Sequence, residues 1–179
     1  MKSFTRPSAA ILAVIGVLAR LLPHPANFTT MGGSVVFSGS KIPRPINYLL
    51  PLAVMFITDM FLGFHKTMIF VYGSFILGIF IAEKLLKGKP SYSRIAAVCL
   101  ANSTIFFVVT NFGVWLVGSL YPRTIAGLVQ CFIMAVPFWR GTILGDLVFG
   151  VGFIAVYQYF AAKESLLRLD EQVAKTLKL

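Results

Sequence analysis

Residues 48–66 read YLLPLAVMFITDMFLGFHK, an apolar run of membrane-crossing length in which Asp59 is the single acid. A helix needs roughly 20 apolar residues to cross a bilayer. A carboxylate in such a run is costly in lipid, so an acid of this kind is a functional residue by default. The stretch therefore predicts a membrane helix with a functional acid close to its end at Gly63.

The composition extends this interpretation to the whole chain. Of 179 residues, 58% are hydrophobic and 12% are charged, and the mean hydropathy is +0.84. Soluble domains average about 25% charged residues. We therefore predict an all-α polytopic membrane protein, in which residues 1–179 form a single integral membrane domain.

Apolar runs bounded by proline, glycine and charged residues predict six transmembrane helices. They cover residues 8–22, 28–40, 46–63, 67–83, 94–117 and 141–162. The second is short and interrupted by Gly32 and Gly33, so we expect it to be tilted or partly broken and to line a cavity. The apolar stretch 124–136, which ends at Pro137, is predicted to be an outer re-entrant or interfacial segment.

The basic residues predict the orientation. With six crossings and both termini cytoplasmic, twelve Lys and Arg fall inside and four outside, which agrees with the positive-inside rule. We therefore expect an inner (cytoplasmic) membrane protein with a cytoplasmic tail at 163–179. The inner set is Lys2, Arg6, Lys41, Arg44, Lys84, Lys87, Lys89, Arg94, Lys163, Arg168, Lys175 and Lys178; the outer set is Arg20, Lys66, Arg123 and Arg140.

Other classes of function have little support in the sequence. The net charge of +10 lies mostly in short loops and at the ends, so we predict contact with the lipid bilayer and not with nucleic acid. Cys99 and Cys131 lie singly in apolar runs, without the spacing of a disulfide framework or zinc site. No catalytic motif was found, and we predict neither an enzyme nor a cofactor.

On this topology three isolated polar residues, Asp59, Asn111 and Asp146, lie at one depth beneath the outer surface. Polar groups among aromatic walls are typical of a small-molecule site. We therefore predict a solute site open to the outer side. Its further members would be His24, Asn27, Phe28, His65, Trp115, Arg123 and Trp139.

Three alternatives stay open. The acids could form separate local pairs, Asp59 with Lys66 or His65, and Asp146 with Arg140 or Arg123. His24 and His65 with Asp59 could bind a divalent ion, but their spacing matches no ligand motif, and we predict no metal. The four outer basic residues would favour a neutral or anionic solute, or would only neutralise the acids.

Several sequence blocks resemble a family of small, uncharacterised bacterial membrane proteins. That family is similar in turn to the substrate-binding S components of energy-coupling factor transporters. The blocks are HPANF (24–28), ITDMFLGFH (57–65), VYGSF (71–75), TNFGVW (110–115), YPRT (121–124) and GDL (145–147).

The resemblance implies a six-helix binder of a vitamin or other micronutrient. Ala9 and Ala13 match the Ala-x-x-x-Ala pattern on which S components dock a transmembrane coupling protein, itself driven by ATPase subunits. The sequence has no phosphate-binding loop of its own. We therefore expect the solute-binding subunit of a micronutrient importer; the alternative is a non-transporting membrane scaffold or assembly protein.

Overall fold

The computed structural model describes residues 7–177, and the predicted all-α fold is confirmed. Lys2, Arg6 and Lys178, which entered the charge count above, lie outside the described residues. A short 3-10 turn, Ala19–Leu21, follows the first helix. The six α-helices of the described range are α1 (Pro7–Leu18), α2 (Met31–Lys41), α3 (Ile46–Leu62), α4 (Met68–Leu85), α5 (Tyr92–Val117) and α6 (Ile125–Leu177).

Successive helices run in opposite directions, which places the loops at two ends of the bundle. Loops 22–30, 63–67 and 118–124 lie at the end we call the upper face, where Arg20 meets Asp59. Loops 42–45 and 86–91 lie at the lower face, where Arg44 pairs with Glu83 and Lys41 donates to the Gly88 carbonyl. The described chain therefore begins and ends on the lower side.

The short helix α2 lies at the centre of the bundle, and residues 31–39 are all buried. Glycine lets the neighbouring backbones come close: a Cβ added at Gly33 would lie 2.6 Å from the Gly150 amide nitrogen of α6. Buried hydroxyls bond to backbone carbonyls, Ser34 to Thr30 and Ser38 to Asn47, each at 2.8 Å. α2 is thus a regular helix, about 16 Å long and roughly half of a bilayer core.

The break expected at Pro137 is wrong. α6 is continuous from Ile125 to Leu177, so the stretch 124–136 forms its first turns and not a separate outer segment. Proline removes one helical hydrogen bond, but packing against a neighbour can hold the helix together across it. Here Phe107 of α5 contacts Phe132 before the proline and Trp139 after it.

Three helical segments of the described range are long and apolar enough to cross a membrane: Met68–Leu85, Tyr92–Val117 and Ile125–Lys163. The apolar helices Ala9–Leu21 and Ile46–Leu62 are shorter. Large apolar side chains such as Phe61 and Ile69 are exposed. A surface of this kind is compatible with a membrane location, because lipid covers apolar side chains that water would not.

Replacing Gly33 with alanine is expected to lower the midpoint of thermal unfolding in mild detergent. The new methyl group would meet the backbone of Gly150, and overpacking of this kind costs about 1–3 kcal/mol. Gly152→Ala is the matched control, because nothing lies within 4 Å of a Cβ added at Gly152. Equal midpoints for the two variants, measured by circular dichroism, would contradict the close packing of α2 on α6.

Candidate functional site

A cavity of ≈ 80 Å³ lies between α2, α4, α5 and α6, and we call it the deep chamber. It has room for several water molecules or for one functional group of a solute. Residues from four helices and the 22–30 loop surround it. They are Asn27, Thr29, Met31, Gly32, Phe75, Asn102, Phe106, Thr142 and Asp146.

The deep chamber contains a buried acid–amide pair. Asn102 Nδ2 of α5 donates to Asp146 Oδ2 of α6 at 2.8 Å, and each residue is 2% exposed. The carboxylate fits because Gly32 has no side chain: a Cβ added there would overlap both carboxylate oxygens. The Asn102 Oδ1 atom is buried without a hydrogen-bond partner among the described residues.

Two stacked rings form the aromatic wall of the deep chamber. Phe75 of α4 and Phe106 of α5 lie with ring centroids 5.1 Å apart and planes inclined by 20°. The rings and the carboxylate line one cavity. The chamber therefore offers an apolar surface and a hydrogen-bonding acid to the same guest.

A second cavity of ≈ 210 Å³, the upper chamber, lies between α5, the first half of α6 and the 22–30 loop. The two chambers adjoin, since Asn27, Phe106 and Thr142 line both. The upper chamber reaches the surface, because Asn27 is exposed and Phe138 is 49% exposed. Its lining is Asn27, Phe106, Phe107, Thr110, Asn111, Val114, Ala135, Phe138, Trp139 and Thr142.

Trp139, which lines the upper chamber, has a donor with no described partner. Its ring stacks on Phe107 at 5.0 Å between centroids, and its Nε1 atom is buried without a partner in the described part of the chain. Asn111, on the same wall, donates to the Phe107 carbonyl of its own helix at 2.8 Å. Buried indole N–H groups are usually bonded, so Trp139 is an exception among the described residues.

Charge is distributed unevenly around the chambers. Asp146 is the one acid that lines them, and no Lys, Arg or His is among the described lining residues. Every other polar lining side chain is a neutral amide, hydroxyl or indole. The cavity therefore presents a single carboxyl group in an otherwise neutral and largely aromatic setting.

Asp59 lies outside both chambers, where the upper ends of α1, α3 and α4 meet. Its Oδ1 is 2.8 Å from Arg20 Nη2, and Tyr72 donates to its Oδ2 at 2.6 Å. Arg20 also donates to Thr58 at 3.1 Å. The acid is thus paired within the protein, by Arg20 and not by Lys66 or His65, and the structure does not bring it together with Asp146.

The remaining predicted site residues divide between the cavity and the surface. Phe28 packs against Phe149, with ring centroids 5.5 Å apart. Trp115 donates to the Pro122 carbonyl at 3.1 Å, and Arg123 is exposed. The predicted residues that line the chambers are Asn27, Asn111, Trp139 and Asp146.

The two histidines lie apart, in different loops of the upper face. The His24 ring nitrogen is 3.1 Å from the Pro25 carbonyl, and the His65 ring nitrogen is 2.8 Å from the Thr67 hydroxyl. Within residues 7–177, no group of three His, Cys, Asp or Glu side chains is placed to hold a metal ion.

The alanine pair of α1 is buried inside the protein. Ala9 is 6% exposed and Ala13 is 0% exposed, and both belong to a core cluster with Val36, Phe37 and Leu86. In this arrangement the pair packs against the chain's own helices, so it offers no free surface to a docking partner.

Sequence reasoning missed Asn102, Phe75, Phe106 and Thr29. Asn102 carried a usable signal, because an amide near the middle of an apolar helix is uncommon and is usually functional or paired. The phenylalanines carried none, since the chain contains 17 of them. Thr29 lies in a loop whose path the sequence does not specify.

Comparison with known proteins gives a family match over nearly the whole chain. Residues 2–169 match the sequence model of a family of unknown function, DUF6580. No curated protein and no solved structure matches the chain.

Substituting Asn102 with leucine is expected to lower the free energy of unfolding by about 1–3 kcal/mol, because the Asp146 carboxylate would lose its buried donor. Chemical denaturation in detergent measures the change. Asn111→Leu is the control, since the hydrogen bond of that amide among the described residues lies within its own helix turn, so its loss should be the smaller of the two. If the two variants lose similar amounts of unfolding free energy, the Asn102–Asp146 hydrogen bond makes no specific contribution to stability.

Proposed function

The chain belongs to the DUF6580 family, and from its two chambers we propose that it is the solute-binding membrane subunit of a micronutrient importer. It would capture a small solute from the outer side, as the resemblance to S components implies. One observation carries the proposal: a surface-reaching cavity adjoins a second chamber that is lined by a buried carboxyl group and two stacked aromatic rings.

The proposed orientation places the lower face in the cytoplasm. The described basic residues of the lower loops and nearby helix ends support it, because cytoplasmic loops carry the excess of Lys and Arg. Six crossings would then include α1, α2 and α3, which are short for a bilayer and would rely on the longer neighbours to cover their ends. The lower-face set is Lys41, Arg44, Lys84, Lys87, Lys89, Arg94 and Lys163.

The make-up of the cavity supports a solute over a packing defect. Empty cavities in proteins are usually lined by apolar groups, whereas polar linings hold water or ligand. Here Asn27, Asn102, Thr142 and Asp146 converge on the deep chamber beside two stacked rings. Convergent polar groups in an aromatic pocket are what a small-molecule site requires.

Energy for transport would come from partners: a transmembrane coupling protein and ATPase subunits, as the resemblance implies. Since Ala9 and Ala13 face the core, such a coupling protein would need another surface. The opposite side of α1 is available, because Ile11 and Ile15 are 54% and 53% exposed.

The second candidate function is a membrane scaffold, and the length of α6 favours it. Lys41 of the lower face lies over the Tyr157 ring at 5.9 Å, yet α6 continues to Leu177. The helix therefore extends about 30 Å past this contact, with Leu166 and Val173 exposed. A helix that projects in this way could bind a cytoplasmic partner.

Filling the cavity tests the proposal. Thr142 lines both chambers and bonds only to a carbonyl of its own helix, so Thr142→Trp should block solute without breaking a helix contact. The control is Thr104→Trp, because Thr104 is exposed and bonded in the same way.

Native mass spectrometry of gently purified protein should show a bound small molecule in the unaltered chain and in Thr104→Trp, but not in Thr142→Trp. If none of the three proteins carries a bound small molecule, the solute-binding function is contradicted and the scaffold function is favoured. An adduct that survives Thr142→Trp would place the solute outside the chambers.

A further inference from the structure

We propose that the solute is an organic cation, with an ammonium or amidinium group that binds Asp146 in the deep chamber. This inference rests on the proposed solute-binding function and names the chemical class that the site accepts. It rests on the pairing of the chain's acids, the aromatic walls and the charge of the lining.

The pairing of the acids sets Asp146 apart. Of the three acids that precede the α6 tail, Asp59 has Arg20 at 2.8 Å and Glu83 has Arg44 at 2.7 Å. Among the described residues Asp146 is bonded by the neutral amide of Asn102, and no described Lys, Arg or His forms an ion pair with it. A buried carboxylate without a cation is costly, and a cationic guest would complete the pattern that the other two acids follow.

The walls are suited to an organic body and not to a bare metal ion. Phe75 and Phe106 stack beside the carboxylate, and a ring face attracts a desolvated ammonium or amidinium. The described residues offer no second acid in either chamber, and protein sites for divalent ions are built from several oxygen ligands, carboxylates among them. An aromatic and singly acidic pocket therefore favours a monovalent organic cation.

The upper chamber carries no charged side chain among its described lining residues. The basic residues that the sequence predicts on the outer side, Arg20, Lys66, Arg123 and Arg140, line neither chamber. The neutral or anionic preference expected from that rim therefore does not describe the interior.

Three probes of nearly equal shape distinguish the effect of charge on binding from the effect of shape. They are benzamidine (cationic), benzamide (neutral) and benzoate (anionic). Their binding to the full chain in detergent is measured by isothermal titration calorimetry at constant salt. We expect benzamidine to bind about tenfold or more tightly than benzamide, and benzoate not to bind. This comparison uses the unaltered protein and does not depend on any variant folding.

Asp146→Asn should abolish the preference for benzamidine over benzamide. Glu83→Gln is the matched control, because it also removes a helix carboxylate, but a half-buried one that lies at the lower face beside Arg44. Glu83→Gln should keep the preference.

The outcomes distinguish the solute class from the function. If benzamide or benzoate binds as well as benzamidine, the organic-cation class is wrong while a solute-binding chamber stands. If no probe binds, the cation class also fails. The function itself then depends on the separate mass-spectrometric test with Thr142→Trp.

Discussion

The close approach of α2 to its neighbours is the constraint on which the rest of the structure depends. α2 is only 11 residues long. Its glycines let neighbouring backbones pack directly against it, α6 at Gly33 and α4 at Gly39. Because the helix is short, it does not fill the upper half of the bundle. The 22–30 loop takes that space instead, and the deep chamber lies where Met31 and Gly32 begin α2.

The same arrangement determines which buried charges are neutralised. Arg20 follows α1 directly and reaches Asp59 at the upper end. At the lower end Arg44 and Tyr48 both bond to Glu83. These contacts tie α3 to α1 and α4 at its two ends. Asp146 lies between the two ends, beyond the reach of either arginine.

The unbroken α6 explains why the cavity has two chambers. Its first turns run beside the upper half of α5, where Cys131 lies 3.4 Å from the Asn111 carbonyl. Further along, Gly141 and Gly145 pack against the backbone of the 22–30 loop. One helix thus supplies the wall of the upper chamber and, through Asp146, the acid of the deep chamber. A separate outer segment would have left the upper chamber without that wall.

The sequence alone determined the features that depend on local composition and spacing. The apolar runs and the proline, glycine and charged residues that bound them were enough to predict an all-α chain with several segments of membrane-crossing length. Rare polar residues in those runs were enough to point to Asn111 and Asp146, and the nearby loop to Asn27. These signals can be read locally because helix length and hydrophobicity are properties of consecutive residues.

Only the tertiary structure decided which polar groups share a cavity. Asp59 and Asp146 look alike in sequence, yet one faces Arg20 and the other faces Asn102, because partner choice depends on how the helices are arranged around α2. Pro137 likewise reads as a break, but packing of Phe107 on both sides of it keeps α6 continuous. The partner of each acid and the continuity of α6 depend on contacts between residues far apart in the chain, and no local sequence pattern encodes such contacts.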